Sequence, residues 1–278
     1  MSQEKKIGDN SKTKITKWNV NSIRKHVKYI KVIIQKFSST ILTLQKTKVN
    51  DNLFIGHIFN KCGYFFTRYN GETTVDNVIA ILAKNDLQIL PKLTYIKEVR
   101  NLAVRIKDNI GLYNFYVPAG GDIYNHSVND KFKHKLLVLL DQLIDSFKVN
   151  TSSNDNIILM VYLNIDPLED NVYSHKQLFK IVNHTIIGVE RLGKLRNCLN
   201  FKDAVRNFTL DSAKLCSWVT YRARNLQKFN KRRQLNHVWI TEPLYKHVLQ
   251  AEISEYTRSL KVSYDHTPVG IITSTESL

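Results

Sequence analysis

Ile157-Ile158-Leu159-Met160-Val161-Tyr162-Leu163-Asn164-Ile165-Asp166-Pro167 opens as an unbroken apolar run and closes on Asn, Asp and Pro. A run that is apolar at every position, rather than at every second one, reads as a central strand covered on both faces over residues 157–163. Pro167 marks the turn that ends it. Outward from this strand the chain alternates short apolar runs with amphipathic stretches. Residues 13–20 predict a strand and Ser22 the opening of a helix, with Ile23, Val27, Ile30 and Ile34 on one apolar face, so Asn19 falls at a strand's end. Residues 40–45 predict a second strand, and Lys46 lies just past it. Further strands are expected over 63–69, 77–83, 99–106, 110–117, 238–241 and 270–273. Helices are expected over 131–148 and 174–182, a short helical turn over 203–207, and a basic loop over 222–233.

At 278 residues the chain is within reach of one large α/β sandwich, with residues 1–12 as a flexible basic tail and 13–278 as a single domain. Forty-one Lys and Arg against 24 Asp and Glu give a formal charge of +17, a field that attracts phosphate backbones. The excess of Lys over Arg, with abundant Asn and Ile, is equally what biased codon usage would produce. Cys62, Cys198 and Cys216 form no metal-spaced or disulfide-like set, as expected of a reducing cytosol. No stretch approaches the roughly 18 unbroken apolar residues of a membrane span, and residues 1–12 lack the apolar core of a signal peptide. A soluble, cytoplasmic monomer with no membrane partner is therefore expected.

Seven short motifs recur in order along the chain. They are Trp18-Asn19-Val20-Asn21-Ser22-Ile23-Arg24, Leu42-Thr43-Leu44-Gln45-Lys46-Thr47-Lys48-Val49, Tyr116-Val117-Pro118-Ala119-Gly120 and Tyr162-Leu163-Asn164-Ile165-Asp166-Pro167. Ser217-Trp218-Val219-Thr220-Tyr221-Arg222-Ala223, Leu235-Asn236-His237-Val238 and Asp265-His266-Thr267-Pro268-Val269 complete the set. In this order and spacing the chain resembles the exonuclease III and AP endonuclease branch of the endonuclease/exonuclease/phosphatase (DNase I-like) family over roughly residues 13–272. The resemblance implies a four-layer αββα sandwich, in which two mixed β-sheets are flanked by helices. It also implies a magnesium ion held by carboxylates, an Asp acting on the attacking water, a His backed by a second acid, and double-stranded DNA, abasic or damaged, as partner.

Three of the implied acids are replaced. Lys46 stands where the family has a metal-binding Glu, which changes the local charge by two units. Tyr162 stands where the family has the Asp that acts on water, and a phenol is a poor base at neutral pH. Asn236 stands where an Asp supports the catalytic His; an amide holds an imidazole but stabilises imidazolium less well. Retained positions are Asn19 and Asp265 of the metal shell, Tyr116 as the phosphate-contacting Tyr, Asn164 as the residue orienting nucleophile or phosphate, and His266. Asp166 shares a strand face with Tyr162 and Asn164 if the extended chain persists, which makes it a candidate substitute acid. Trp218, Tyr221, Arg222 and Arg224, with Arg24 at the first motif, form a basic-aromatic set for DNA contact, core packing being the other reading of Trp218.

A pocket with one acid left of four, and a Lys added, accepts a phosphate without a metal but lacks groups that act in the transition state. The resulting expectation is a DNA-binding relative that is inactive or severely weakened. The alternative is a working magnesium-dependent exodeoxyribonuclease III or AP endonuclease of base-excision repair, in which other groups hold the metal. Lys46→Glu, Tyr162→Asp and Asn236→Asp combined are expected to create or greatly raise nuclease activity on an abasic duplex. A triple variant that folds and binds magnesium without any gain would mean that these positions are mapped wrongly.

Overall fold

Alternation along the strands decides which residues meet between the two sheets and which meet the helices. The computed structural model describes residues 11–49, 54, 56–70, 79–91, 101–107, 109–117, 126–165, 185–219, 232–258 and 265–274. The first sheet contains β1 (Lys12–Asn19), β2 (Ile41–Gln45), β3 (Phe66–Asn70), β4 (Ile79–Ala83), β13 (Val248–Ile253) and β14 (Val269–Ser274), in the order β13-β14-β1-β2-β4-β3. The second contains β5 (Gln88–Ile89), β6 (Asn101–Ile106), β7 (Ile110–Tyr116), β8 (Asn156–Tyr162), β9 (Lys202–Asp203) and β12 (Asn236–Ile240), in the order β5-β6-β7-β8-β12-β9. Each sheet is mixed: β1 and β2 are parallel in one, β7 and β8 in the other, and their remaining pairings are antiparallel.

Ile15 and Ile41 of the first sheet meet Leu112, Ile158, Met160 and Val238 of the second in one apolar layer. Residues of opposite parity point outward. Leu159, Val161, Phe115 and Trp239 pack with Leu136, Leu140 and Phe147 of helix α3 (His126–Asn150) and Leu192 and Leu195 of α4 (Ile186–Asn197). Trp18, Leu42 and Leu44 pack with Ile23, Ile30 and Ile34 of α1 (Ile23–Phe37) and with Phe59 of α2 (Gly56–Asn60). The layers are thus helix, sheet, sheet, helix, and β8 is covered on both faces as its apolar run predicts.

Most expected elements are present with shifted ends, and the helix expected over 131–148 is longer at both ends. Residues 203–207 are not one helical turn: Lys202–Asp203 pair with β12 and a 3₁₀ turn follows at Arg206–Phe208. Arg232–Arg233, expected in a loop, form β11 against Trp218–Val219 (β10). Several elements are absent from the sequence reading, the short α2, β5 and β10 and the longer α4 and β13 among them. Helix α4 contains Gly188 and Gly193, which lower its helical signal. Strand β13 carries a register shift between Val248 and Gln250 that breaks its alternation. The expected helix 174–182 and Asp166 lie outside the described residues. Among the described residues no helix is long and apolar enough to cross a membrane, and the three cysteines are free.

A pair of buried amides crosses the layer between the sheets. Gln45 Nε2 donates to Asn114 Oδ1 at 2.8 Å and to the Phe115 carbonyl at 3.0 Å. Asn114 Nδ2 in turn donates to the carbonyls of Leu44 at 3.2 Å and Ala80 at 3.3 Å. Both side chains are fully buried, so these bonds replace water that neither amide can reach. Asn114→Ala is expected to lower unfolding free energy by about 2 kcal/mol, the scale of leaving a buried polar group unsatisfied. Urea denaturation measures it, and a loss below about 0.5 kcal/mol would mean that the amides do not clamp the sheets.

Candidate active site

Strand register gathers the expected residues at one rim. Asn19 is opposite Gln45 at the ends of the parallel pair β1 and β2, so Lys46 leaves the sheet beside Asn19. In the other sheet Tyr116 is opposite Tyr162, which is also opposite Asn236. The chain bends sharply as it leaves these strands. Asn21, Ser22, Lys46, Lys48 and Asn164 all have positive φ, a region that non-glycine residues seldom occupy and that clusters at functional sites.

Lys46 Nζ lies 5.3 Å from the Tyr116 ring centroid and 5.5 Å from that of Tyr162, and the two rings are stacked with centroids 5.1 Å apart. The cation therefore sits over two π faces at the position where the resemblance requires a carboxylate. Tyr162 is buried and its hydroxyl donates to Asn164 Oδ1. Burial, then the neighbouring Tyr116, pushes the phenol well above its ordinary range, which makes it a still poorer base. Asn164 Nδ2 donates to the Val117 carbonyl at 2.8 Å. Its amide thus closes the ends of β7 and β8 as well as meeting Tyr162.

His266 is buried beside this pair, its ring edge-on to Tyr162 with centroids 5.0 Å apart. Asn236 Nδ2 is 3.2 Å from Nδ1, and Asn19 Nδ2 is 3.3 Å from Nε2. Burial, reinforced by Lys46, Lys17 and Arg233, holds the imidazole well below its ordinary pKa. A neutral ring follows, from burial first and from the neighbouring cations second. Asp265 lies alongside, its Oδ2 3.9 Å from Nε2. Burial raises its pKa, and Lys46 opposes that rise.

The sequence reading missed Lys17. Its side chain is fully buried and its Nζ crosses from the first sheet to donate to Asn236 Oδ1 in the second at 2.8 Å. The Tyr162 ring centroid is 5.9 Å away. Burial lowers the amine's pKa well below the lysine range. The signal was present in the alternation Ile15, Lys17, Asn19, which puts Lys17 on the face that looks into the site.

Magnesium requires hard oxygen donors in near-octahedral array. The rim offers the Asp265 carboxylate, and the Asn19 Oδ1 that accepts from Asn21 N at 3.3 Å, with the Lys46 ammonium acting on Asp265 from beside them. Among the described residues no group of three or more His, Cys, Asp or Glu is placed to hold a metal. These donors do not fit the ion.

The DNA-contact set is only partly described. Arg24 is exposed on the first turn of α1. Trp218 is half-buried, packs against the Tyr116 and Tyr162 cluster, and has the Arg233 guanidinium 4.2 Å from its ring centroid. Arg233 is a site residue that the loop assignment had hidden. Tyr221, Arg222 and Arg224 lie outside the described residues.

The chain is 22% identical to the exodeoxyribonuclease III of Haemophilus influenzae over 268 residues, 92% of this chain and 98% of that one. It superposes on an AP endonuclease from Archaeoglobus fulgidus with a TM-score of 0.85 at 21% identity, covering 94% of this chain and 99% of the other. The chain carries the fold of the exonuclease III and AP endonuclease branch. A 3′ phosphatase from Neisseria, bound to product DNA hairpin, superposes with a TM-score of 0.77 at 22% identity over 93% of this chain and 98% of that one. No family model matches the chain.

In this exonuclease III-like fold Lys17 stands in the way of the three reversals. The carboxylate introduced by Asn236→Asp would receive the Lys17 hydrogen bond in addition to that of His266, and an amine donor so close weakens its support of imidazolium. Adding Lys17→Ala to Lys46→Glu, Tyr162→Asp and Asn236→Asp is expected to raise abasic-duplex cleavage at least about tenfold over the triple variant. Equal rates for folded triple and quadruple variants would mean that Lys17 does not compete for the carboxylate.

Proposed function

We propose that this protein binds the phosphate backbone of double-stranded DNA, abasic or otherwise distorted, and hydrolyses it extremely slowly or not at all. The nuclease and DNA-repair relatives support DNA as the ligand class. The observation that carries the loss of catalysis is the Lys46 ammonium over the Tyr116 and Tyr162 rings, at the rim where a metal-binding acid and a water-activating acid are expected. Binding needs charge complementary to phosphate, which Lys46, Arg233 and the formal +17 supply. Rate needs groups that act as the nucleophile forms, and neither a raised phenol nor a neutral imidazole without its acid meets that need.

The test pairs binding with cleavage. Without added metal, the protein is expected to shift an abasic duplex in a gel. Affinity should fall with salt by about 0.9 log unit per log unit of salt for each phosphate contacted. With magnesium and a range of protein amounts, no cleavage is expected beyond that of an Asn164→Ala, His266→Ala double variant. Cleavage that the double variant loses would overturn the proposal in favour of a working metal-dependent nuclease.

A further inference from the structure

The amide of Asn236 has only one satisfactory orientation. Its Oδ1 faces the Lys17 amine at 2.8 Å, and its Nδ2 faces the Ser217 carbonyl at 3.2 Å. A carbonyl accepts and never donates, so exchanging the amide oxygen and nitrogen would set oxygen against oxygen at Ser217. The Ser217 hydroxyl fixes the backbone at the same point by accepting from the amides of Leu235 and Asn236 at 2.9 and 2.8 Å. An amide N–H faces each ring nitrogen, Asn236 Nδ2 at Nδ1 and Asn19 Nδ2 at Nε2, and only one can be accepted. Asn236 is held by two contacts of 2.8 and 3.2 Å against one of 3.3 Å for Asn19, so Nδ1 is the nitrogen that accepts.

A neutral imidazole carries one proton, and when Nδ1 accepts, Nε2 holds it. We propose that Asn236, clamped by Lys17 and the Ser217 carbonyl, is a positioning residue that locks His266 as the Nε2–H tautomer, turning it into a fixed donor toward a phosphate oxygen. An Asp at this place would draw the proton to Nδ1 and leave Nε2 as an acceptor in the neutral ring. The replacement of acid by amide therefore reverses the direction of the outward hydrogen bond as well as removing a charge.

The reversed ring has a counterpart across the rim. Asn19 Oδ1 is engaged by the Asn21 N–H, which turns Asn19 Nδ2 toward Nε2 at 3.3 Å. Two N–H groups at this separation cannot bond to each other, and a single acceptor oxygen answers both. Lys46 beside them supplies the opposite charge for an oxyanion. The ligand half of this inference rests on the proposed phosphate-binding role; the tautomer rests on the Asn236 contacts alone.

The experiment is long-range proton–nitrogen correlation NMR on the full chain labelled with ¹⁵N-histidine, with His266 identified by its loss in His266→Gln. In the wild type, His266 is expected to show an unprotonated Nδ1 and a protonated Nε2. Asn236→Asp, which changes one atom type without changing shape, is expected to move the proton to Nδ1, a change that a purely structural role would not produce. A wild-type Nδ1–H, or an unchanged tautomer in folded Asn236→Asp, overturns the positioning role. Inorganic phosphate titrated into the same samples is expected to shift the wild-type Nε2 resonance and to bind Asn236→Asp several-fold more weakly. The predicted tautomer with no response to phosphate would overturn the phosphate-binding reading while leaving the Asn236 assignment in place.

Discussion

Two sheets packed face to face must keep polar groups out of the layer between them, or pair every one that enters. The rest of this molecule follows from how nearly that condition is met, since Gln45 Nε2 finds acceptors while its Oε1 has no partner. From the rim end of β2, Gln45 pairs with Asn114 of β7 and with strand carbonyls, which fixes how β2 sits over β7 and β8. Lys17, two residues further in along β1, reaches to Asn236 at the rim end of β12 and ties the sheets a second time. Between these two polar bridges and solvent lie Tyr116, Tyr162 and His266, so the site is the place where the interface opens.

The chemistry of that opening is cationic, aromatic and amide rather than acidic. An arrangement of acids around a cation would bind phosphate through a metal. Here the positive charge belongs to the protein, and aromatic rings and amides surround it. The substitutions support one another physically. The stacked tyrosines accept the Lys46 cation on their faces. The neutral His266 tolerates its cationic neighbours because it carries no charge of its own. On the proposed function, a ground-state phosphate gains from such a pocket, whereas the leaving oxygen and attacking water of a hydrolysis gain little.

Much of the architecture was legible because alternation and apolar runs are strong signals. The run 157–163 gave a doubly covered strand, and Ile23, Ile30 and Ile34 gave the inner face of α1. The rim positions Asn19, Tyr116, Tyr162, Asn236 and His266 were also recoverable, because motifs at strand ends map directly onto one edge of the sandwich. What stayed hidden depended on contacts distant along the chain. Lys17 looks like a surface lysine until β12 is placed opposite it. Arg233 looks like part of a basic loop until β11 pairs with β10 and brings it over Trp218. Strand β13 was obscured by its own register shift, and α4 by glycines that local propensity counts against a helix.

A buried amine also alters what folding does to the surrounding solution. An unfolded chain exposes Lys17 to water, where its ammonium persists to about pH 10. The folded chain holds the same group among strands with a pKa well below that. Between the two values folding expels a proton. The heat of folding then includes the ionisation of whichever buffer receives it, and two buffers of equal pH but different ionisation enthalpy would return different calorimetric values for one and the same transition.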